Sequence, residues 1–247
     1  NLNNAITDLE NNTGSTTLKG LVDGHTTDID LLEAREILKT VTQYPDLTDA
    51  QVNAATGSSN NWNVSDYRNR NYEIEGSSKF HTAYPYEAFR SINTNSYCHC
   101  GNGTYTTANS SYWDYSGTQS LDGNSGEWLR IKMPDSVILN SFTIQGAYNN
   151  TTPEERPRSF KLFGANNGTS SSSYALLGEY NDVEIDYASG TNFKADSSLA
   201  AYGTSYNTYA IVVSKSEGTS FAIGYLRFFS VSKDVSDTIA TAATSFY

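Results

Sequence analysis

Histidine, cysteine and carboxylate side chains are the groups that most often perform catalysis, and this chain of 247 residues holds few of the first two. Its three histidines are His25, His81 and His99. Its only cysteines, Cys98 and Cys100, flank the last of these. No nucleophile elbow, phosphate-binding loop or metal-binding triad surrounds them. The sequence therefore predicts a protein that is not an enzyme and has no catalytic residues, no cofactor and no metal ion.

The two cysteines are separated by a single residue. This spacing is too tight for an unstrained disulfide and falls short of the four ligands of a structural zinc site. We predict free thiols that pack as small hydrophobic groups, and we expect folding to need neither a disulfide nor a metal. A strained disulfide and metal ligation together with His99 are the alternatives.

Three carboxylates, Asp182, Glu184 and Asp186, alternate along a segment that is predicted to be a strand. Such a row could suit calcium, but an acidic domain also needs solubilising groups on its surface. We therefore predict that these carboxylates are solvated on an exposed strand face.

The charge balance excludes two classes of partner. The chain has 27 acidic and 16 basic residues, a net charge of −11. A phosphate backbone would be repelled by this charge, and no basic stripe is visible. No apolar run approaches the ~20 residues that span a bilayer. We expect no nucleic-acid partner and no membrane insertion.

Residues 1–61 are predicted to form a helical stalk and linker. Apolar residues recur there at spacings of three and four, as in helix seams: Leu2, Ile6, Leu9, Leu31, Ala34, Leu38 and Val41. A stripe this narrow needs a partner, so we predict a coiled coil of several copies, preferably a trimer. An amphipathic helix lying on its own domain is the alternative. The segment HTTDIDLLEAREI, residues 25–37, resembles stalk segments that precede the knobs of viral and phage fibres.

A short helix is predicted over Asp49–Ala55, because Thr48 and Gln51 have the spacing of a capping box. Gly57–Asn61 is predicted to be a linker, and the helical period ends at Trp62.

From residue 62 to residue 233 the chain consists of short aromatic and β-branched segments between polar turns. The clearest predicted strands are Trp128–Met133, Val137–Gln145, Ser159–Phe163, Tyr174–Tyr180, Val183–Tyr187, Tyr209–Ser214 and Phe221–Val231. Many short strands without intervening helices predict an antiparallel sandwich or barrel. Residues 234–247 are predicted to form a tail.

Several segments resemble, in order, those of the discoidin or coagulation-factor C-type domain of the galactose-binding-like superfamily. They are Gly76–Ser78, Ala83–Phe89, Gly126–Ile131, Ile138–Gly146, Arg156–Gly168, Tyr209–Val213 and Ile223–Phe229. The resemblance implies a mainly β fold, a discoidin-like antiparallel β-sandwich or jelly-roll barrel. Two departures stand out. The domain ends lack the cysteines that often close the family's fold, and Phe89-Arg90-Ser91 replaces an F-D-G turn, which argues against a calcium site there.

In this family, sugar-binding groups lie on loops at one end of the barrel. Carried over by position, the first loop is Lys79–Tyr84 and the third is Ala147–Arg156. The candidate residues for carbohydrate binding are His81, Tyr148, Asn149, Glu155 and Arg156, with Phe80 and Tyr84 behind them. For Arg156, an anchoring role in its own strand is equally open. Tyr84 is expected to pack in the core.

The resemblance thus implies a carbohydrate-binding or adhesion module of an extracellular or virion-surface fibre. Its partners would be cell-surface glycans, with the stalk making a homo-oligomer. Lipid binding ranks lower because the loops hold few exposed apolar side chains and cations. The rival hypothesis is a purely structural virion or surface-assembly protein that contacts other surface proteins and no small ligand.

Overall fold

The computed structural model describes residues 41–80, 82–91, 97–101, 103–107, 112–147 and 155–231. They belong almost entirely to one compact unit, Thr42–Ser230. This unit is mainly β and forms an antiparallel sandwich. Most of the predicted stalk, residues 1–40, and the whole predicted tail lie outside the described residues, so for residues 1–40 the helical stalk, the coiled coil and the trimer stay predictions. At Val41 the predicted helix is wrong, because Val41–Tyr44 forms a strand that pairs with the strand Phe221–Val231.

The described strands are, in chain order, β1 (Val41–Tyr44), β2 (Thr56–Ser58), β3 (Asn61–Ser65), β4 (Asn71–Gly76), β5 (Cys98–Cys100), β6 (Tyr105–Thr107), β7 (Trp113–Tyr115), β8 (Ser120–Leu121), β9 (Asn124–Ser125), β10 (Glu127–Gly146), β11 (Pro157–Ala165), β12 (Ala175–Tyr180), β13 (Thr191–Lys194), β14 (Ser205–Ser216) and β15 (Phe221–Val231). One α-helix, α1 (Asp49–Asn53), and one 3-10 helix (Pro85–Phe89) accompany them.

The first sheet has the strand order β2-β3-β4-β10-β14-β11-β12, and every pair in it is antiparallel. Strand β4 shows why these residues form strands: buried Tyr72 and Ile74 alternate with the partly exposed Glu73 and Glu75. A period of two belongs to a strand with one face against a core.

The predicted strand Trp128–Met133 is confirmed as part of the strand β10, and its residues alternate between the two faces of the first sheet. Leu129, Ile131 and Met133 belong to the main core, whereas Trp128 packs in a smaller cluster on the opposite face of the sheet. On that opposite face Arg130 forms an ion pair with Glu75.

Strand β10 changes sheet and direction within its 20 residues. Glu127 pairs with Val213 near the end of β14, and Gly146 pairs with Ile223 near the start of β15. Only residues 217–220 separate β14 from β15. Because so short a turn cannot cross the sandwich, both ends of β10 must lie at the same end of it. We call this end, where β14 ends and β15 begins, the loop end.

The second sheet consists of the returning half of β10 between β13 and β15. β5 pairs with the first residues of β15, and β1 also pairs with β15. At the loop end, β7 pairs with the last two residues of β14 and β6 pairs with β7. The segment that carries β5, β6 and β7 therefore adds strands to both sheets.

An aromatic group fills the space between the sheets. Phe142 and Phe193 stack with ring centroids 5.3 Å apart, and Phe160 meets Phe193 edge to face at 5.2 Å. Tyr180 and Phe228 complete the contacts of Phe142. Burial of each large aromatic side chain contributes about 2–3 kcal/mol, so this group is a main source of stability.

The predicted helix after Thr48 is confirmed. It spans Asp49–Asn53, and Thr48 and Gln51 form the predicted capping box. The predicted linker Gly57–Asn61 is wrong, because Thr56–Ser58 and Asn61–Ser65 form a hairpin that extends the first sheet. Backbone pairing with the edge of β4, invisible in a polar Gly/Ser/Asn segment, produces this structure.

The predicted strand Val183–Tyr187 is also wrong, because no strand is assigned between β12 and β13. Asp182 adopts a positive φ of 52°, which breaks the extended path after β12. The predicted solvation of the three carboxylates is nevertheless confirmed, since Asp182, Glu184 and Asp186 are all exposed.

Candidate functional site

The chain segments that carry the two predicted loops converge at the loop end. β4 ends at Gly76, which pairs with Leu129 close to the start of β10. The third loop leaves β10 at Gly146 and joins β11 at Pro157, which pairs with Ser216. Strand register alone therefore brings the two segments to one end of the sandwich, although they are separated by about 70 residues of sequence.

Glu155, the penultimate residue of the third loop, is held in place by hydrogen bonds of both its backbone and its side chain. Its carbonyl accepts the N–H of Ala222 at 2.6 Å. Its carboxylate accepts the Ser220 hydroxyl at 3.1 Å and lies 3.3 Å from His99 Nε2. The side chain is 24% exposed, so the carboxylate remains accessible from solvent.

The charge state of Glu155 follows from these contacts. Burial alone would raise the pKa of Glu155, but the hydrogen bonds and charge of His99 and the hydrogen bond of Ser220 lower the pKa below its ordinary value. The group is therefore an anionic hydrogen-bond acceptor at neutral pH.

Phe80, in the first loop, reaches the same histidine. Its N–H donates to the His99 carbonyl at 2.9 Å. Its ring meets the imidazole edge to face, with centroids 4.7 Å apart. Phe80 is half-buried, and His99 is only 5% exposed. The structure thus brings Phe80 and Glu155 together through His99.

Arg156 is engaged as a strand anchor. Its Nε donates to Glu217 Oε2 at 2.6 Å, and its Nη1 donates to the Ile185 carbonyl at 3.1 Å. Arg158 contacts the other oxygen of Glu217 at 3.3 Å. Of the two roles left open by the sequence, these contacts favour anchoring.

Tyr84 does not pack in the buried core, contrary to the expectation. It is partly exposed and stacks on Tyr86, with centroids 5.6 Å apart and planes within 9°. Trp62 leans against it at 4.8 Å, and the Lys79 ammonium lies 4.8 Å from its ring centroid. Trp62 belongs to β3, in the hairpin that the sequence did not predict, so the contact of the two rings could not be predicted either.

Three predicted site residues, His81, Tyr148 and Asn149, lie outside the described residues. The two cysteines are free and buried, with their sulfur atoms 3.5 Å apart, and the hydrogen bond with Cys98, together with burial, raises the pKa of the Cys100 thiol. Within the described ranges, no group of three or more His, Cys, Asp or Glu side chains could hold a metal ion.

The turn Phe89-Arg90-Ser91 carries an internal cation. The guanidinium of buried Arg227 donates to the carbonyls of Phe89 and Arg90 at 2.6 and 2.8 Å. Desolvation lowers the pKa of Arg227 to about 10, so it remains charged at neutral pH. The carbonyls of this turn are thus already engaged by a cation from the chain itself.

Sequence reasoning missed His99, Ser220 and Glu217 as parts of this site. His99 was assigned only to the cysteine segment, because the pairing of β5 with β15 leaves no pattern in three residues. Ser220 and Glu217 belong to a short polar turn that resembles any other in the sequence. Only the pairing of distant strands identifies them.

Among the residues that the structure describes, no helix is long and apolar enough to cross a membrane.

No family model and no curated protein matches the chain. Among solved structures, it is similar to the family 32 carbohydrate-binding module of Clostridium perfringens NanJ, solved in complex with galactose, at 12% identity and a TM-score of 0.42, covering 64% of this chain and 93% of that one. It is also similar to a CBM32-3 module from a family 31 glycoside hydrolase of Clostridium perfringens (11% identity, TM-score 0.45, 64% and 90% coverage). A third is the chitosan-binding module 1 of a Paenibacillus sp. IK-5 chitosanase/glucanase (9% identity, TM-score 0.40, 63% and 92% coverage).

Proposed function

We propose that this protein is a non-enzymatic carbohydrate-binding module with a discoidin-like fold, and that a glycan binds at the loop end between the first and third loops. The observation that carries the proposal is the convergence of Phe80 and Glu155 on His99. An aromatic ring beside a fixed carboxylate is the combination that sugar recognition uses, because a pyranose has an apolar face and a rim of hydroxyls.

The charge of the site favours a neutral sugar. Glu155 is anionic and accepts hydroxyl protons, whereas an acidic sugar would place a second carboxylate against it. The sequence predictions for His81, Tyr148 and Asn149 add an imidazole, a ring and an amide to the same loops. A terminal galactose-like or fucose-like residue is the ligand that we propose.

A hydrolytic role is disfavoured by the geometry of the cluster formed by His99, Ser220 and Glu155. Both the Ser220 hydroxyl, at 2.8 Å, and the Glu155 carboxylate, at 3.3 Å, approach the same nitrogen of His99. A proton relay to a serine nucleophile needs the serine and the carboxylate on different ring nitrogens. The cluster therefore suits positioning and does not suit catalysis.

The proposed affinity of one site is low, on the order of millimolar, because a single monosaccharide buries little surface. Useful adhesion then requires several copies, which a trimeric stalk formed by residues 2–40 would supply on an extracellular or virion-surface fibre. Sedimentation of the full chain and of a Leu31→Asp/Leu38→Asp variant tests this oligomerisation. We expect the wild-type chain to be a trimer and the variant a monomer, and a monomeric wild-type chain would refute the stalk.

The binding proposal is tested with a glycan array followed by titration of the hits. Glu155→Gln keeps the shape of the side chain and removes its charge, and Phe80→Ala removes the ring. We expect each to weaken glycan binding about tenfold or more, a loss of about 1.4 kcal/mol. His81→Ala is expected to do the same.

The matched control is Tyr202→Ala. Tyr202 is 41% exposed and precedes β14, which begins at the end of the sandwich opposite the loop end. Its loss should leave glycan binding unchanged. If the wild-type chain binds no glycan on the array, the proposal is refuted and a purely structural virion or surface-assembly role is favoured. Equal binding by wild type, Glu155→Gln and Phe80→Ala would place any site elsewhere.

A further inference from the structure

His99 occupies the meeting point of four separate chain segments. It lies in β5 opposite Ala222 of β15, and its ring contacts Phe80 of the first loop. Its Nε2 lies 2.8 Å from Ser220 Oγ, at the end of the turn before β15, and 3.3 Å from the carboxylate of Glu155. Because the His99 side chain is buried and hydrogen-bonded, it can fix the positions of the groups that contact it.

The protons of this cluster can be placed from the donors and acceptors alone. An ionised carboxylate only accepts, so the Ser220 hydroxyl donates its single proton to Glu155 Oε1 at 3.1 Å. Its oxygen is then free to accept from His99 Nε2. His99 therefore carries a proton on Nε2, and the hydrogen bonds run in one direction from His99 through Ser220 to Glu155.

The first loop is attached to the same residue by a different route. The Phe80 N–H donates to the His99 carbonyl, and the Phe80 ring packs edge to face on the imidazole. Tyr97 lies on the imidazole as well, with centroids 5.9 Å apart. The position of the imidazole thus fixes a ring from the first loop and a carboxylate from the third.

We infer that His99 is a positioning residue of the glycan site, which holds Phe80 of the first loop and Glu155 of the third loop in place without itself contacting the sugar. This inference rests on the proposed function and deepens it. The group that matters for this role is the N–H at Nε2 of His99, because it contacts the Glu155 carboxylate both directly and through the Ser220 hydroxyl.

Two substitutions of His99 distinguish the contribution of its hydrogen-bond donor from that of its volume. Gln carries an amide nitrogen close to the Nε2 position and can donate to Ser220 and Glu155, so His99→Gln should keep the arrangement. His99→Phe fills the space and has no donor. We expect glycan affinity to stay within about twofold in His99→Gln and to fall about tenfold in His99→Phe.

A second readout does not depend on any glycan. The pKa of Glu155, followed by NMR of its side-chain carboxyl carbon, should lie below its ordinary value in wild type and in His99→Gln. In His99→Phe it should rise above that of wild type, because burial remains while the donor is lost. If His99→Phe does not fold, Ser220→Ala interrupts the same chain of hydrogen bonds and should raise the pKa by a smaller amount.

The two proposals fail in distinguishable ways. A wild-type chain that binds no glycan refutes the proposed function, and the Glu155 titration then decides alone whether His99 positions the carboxylate. Glycan binding that is equal in wild type and His99→Phe, with an unchanged pKa of Glu155, overturns the inference about His99 and leaves the binding proposal standing.

Discussion

If Arg156 anchors its strand through Glu217, the two side chains should be energetically coupled in folding. The pair is tight, with Nε and Oε2 2.6 Å apart, and the side chains are only 25% and 15% exposed. Hydrogen bonds between charged groups contribute about 1.5–3 kcal/mol, and the bond to the Ile185 carbonyl adds to this. Because Arg158 still contacts Glu217 at 3.3 Å, the carboxylate is not left alone in Arg156→Ala. We therefore expect a loss of about 2 kcal/mol in unfolding free energy.

This loss corresponds to a fall in melting temperature of roughly 4–8 °C for a unit of this size. A double-mutant cycle of Arg156→Ala and Glu217→Ala, measured by urea unfolding, should give a coupling energy of about 1–2 kcal/mol. The matched control is the exposed pair of Lys161 and Glu179, 3.9 Å apart in the same sheet, whose coupling should not exceed about 0.5 kcal/mol.

Glycan titration of the same variants completes the experiment. If Arg156 acts only as an anchor, Arg156→Ala and Glu217→Ala should weaken glycan binding to a similar degree. A coupling energy near zero, or complete loss of binding in Arg156→Ala while Glu217→Ala binds normally, would refute the anchoring argument and make Arg156 a direct ligand contact.

Three further predictions concern stability. Gly126→Ala should lower the free energy of unfolding by about 3–5 kcal/mol, measured by thermal unfolding, because at φ +154° its Cβ would lie 2.4 Å from the Val213 carbonyl oxygen. The control Gly123→Ala, at φ +73° with open space around it, should lower the free energy by only about 1 kcal/mol, and equal losses in the two variants would contradict the predicted clash. Burial would raise the pKa of Asp66, but hydrogen bonds from the backbone N–H groups of Arg70 and Arg68 and from the Arg70 side chain lower this pKa. The stability from Asp66 is present above about pH 4 and lost as pH falls through the lowered pKa, so the gap between wild type and Asp66→Asn should close on acidification, and a constant gap would refute the linkage. Reductant and chelator should each leave the melting temperature nearly unchanged, and a drop of several degrees would show that the Cys-His-Cys segment was misread.

The strands that form the core were largely predictable, because each one carries its own pattern. Trp128–Met133 alternates in the period of two, and Phe221–Val231 is assigned to the same residues in sequence and structure. The capping box at Thr48 was predictable for the same reason, since four adjacent residues contain all of its hydrogen bonds. The failures, Gly57–Asn61 and Val183–Tyr187, occurred where the local composition does not decide the backbone.

The site divides in a similar way. The resemblance placed Phe80 and Glu155 on loops that belong to one end of a barrel, and strand register brings those loops to the loop end. The resemblance could not show that Arg156 is bound by Glu217, or that the ring of Tyr84 contacts that of Trp62. Each of these contacts joins residues between 22 and 61 positions apart, and no local pattern encodes which distant side chain will be the partner.

By itself, then, the sequence determined the acidic surface, the mainly β class, the positions of most core strands and the scarcity of catalytic groups. These depend on composition and on periodicity over a few residues. The tertiary structure alone decided that β10 reverses between the two sheets, that β5 pairs with β15, and that His99 therefore lies between Phe80 and Glu155. Such pairings are chosen by the free energy of closing the whole sandwich around one core, which is a property of distant segments together and of no segment alone.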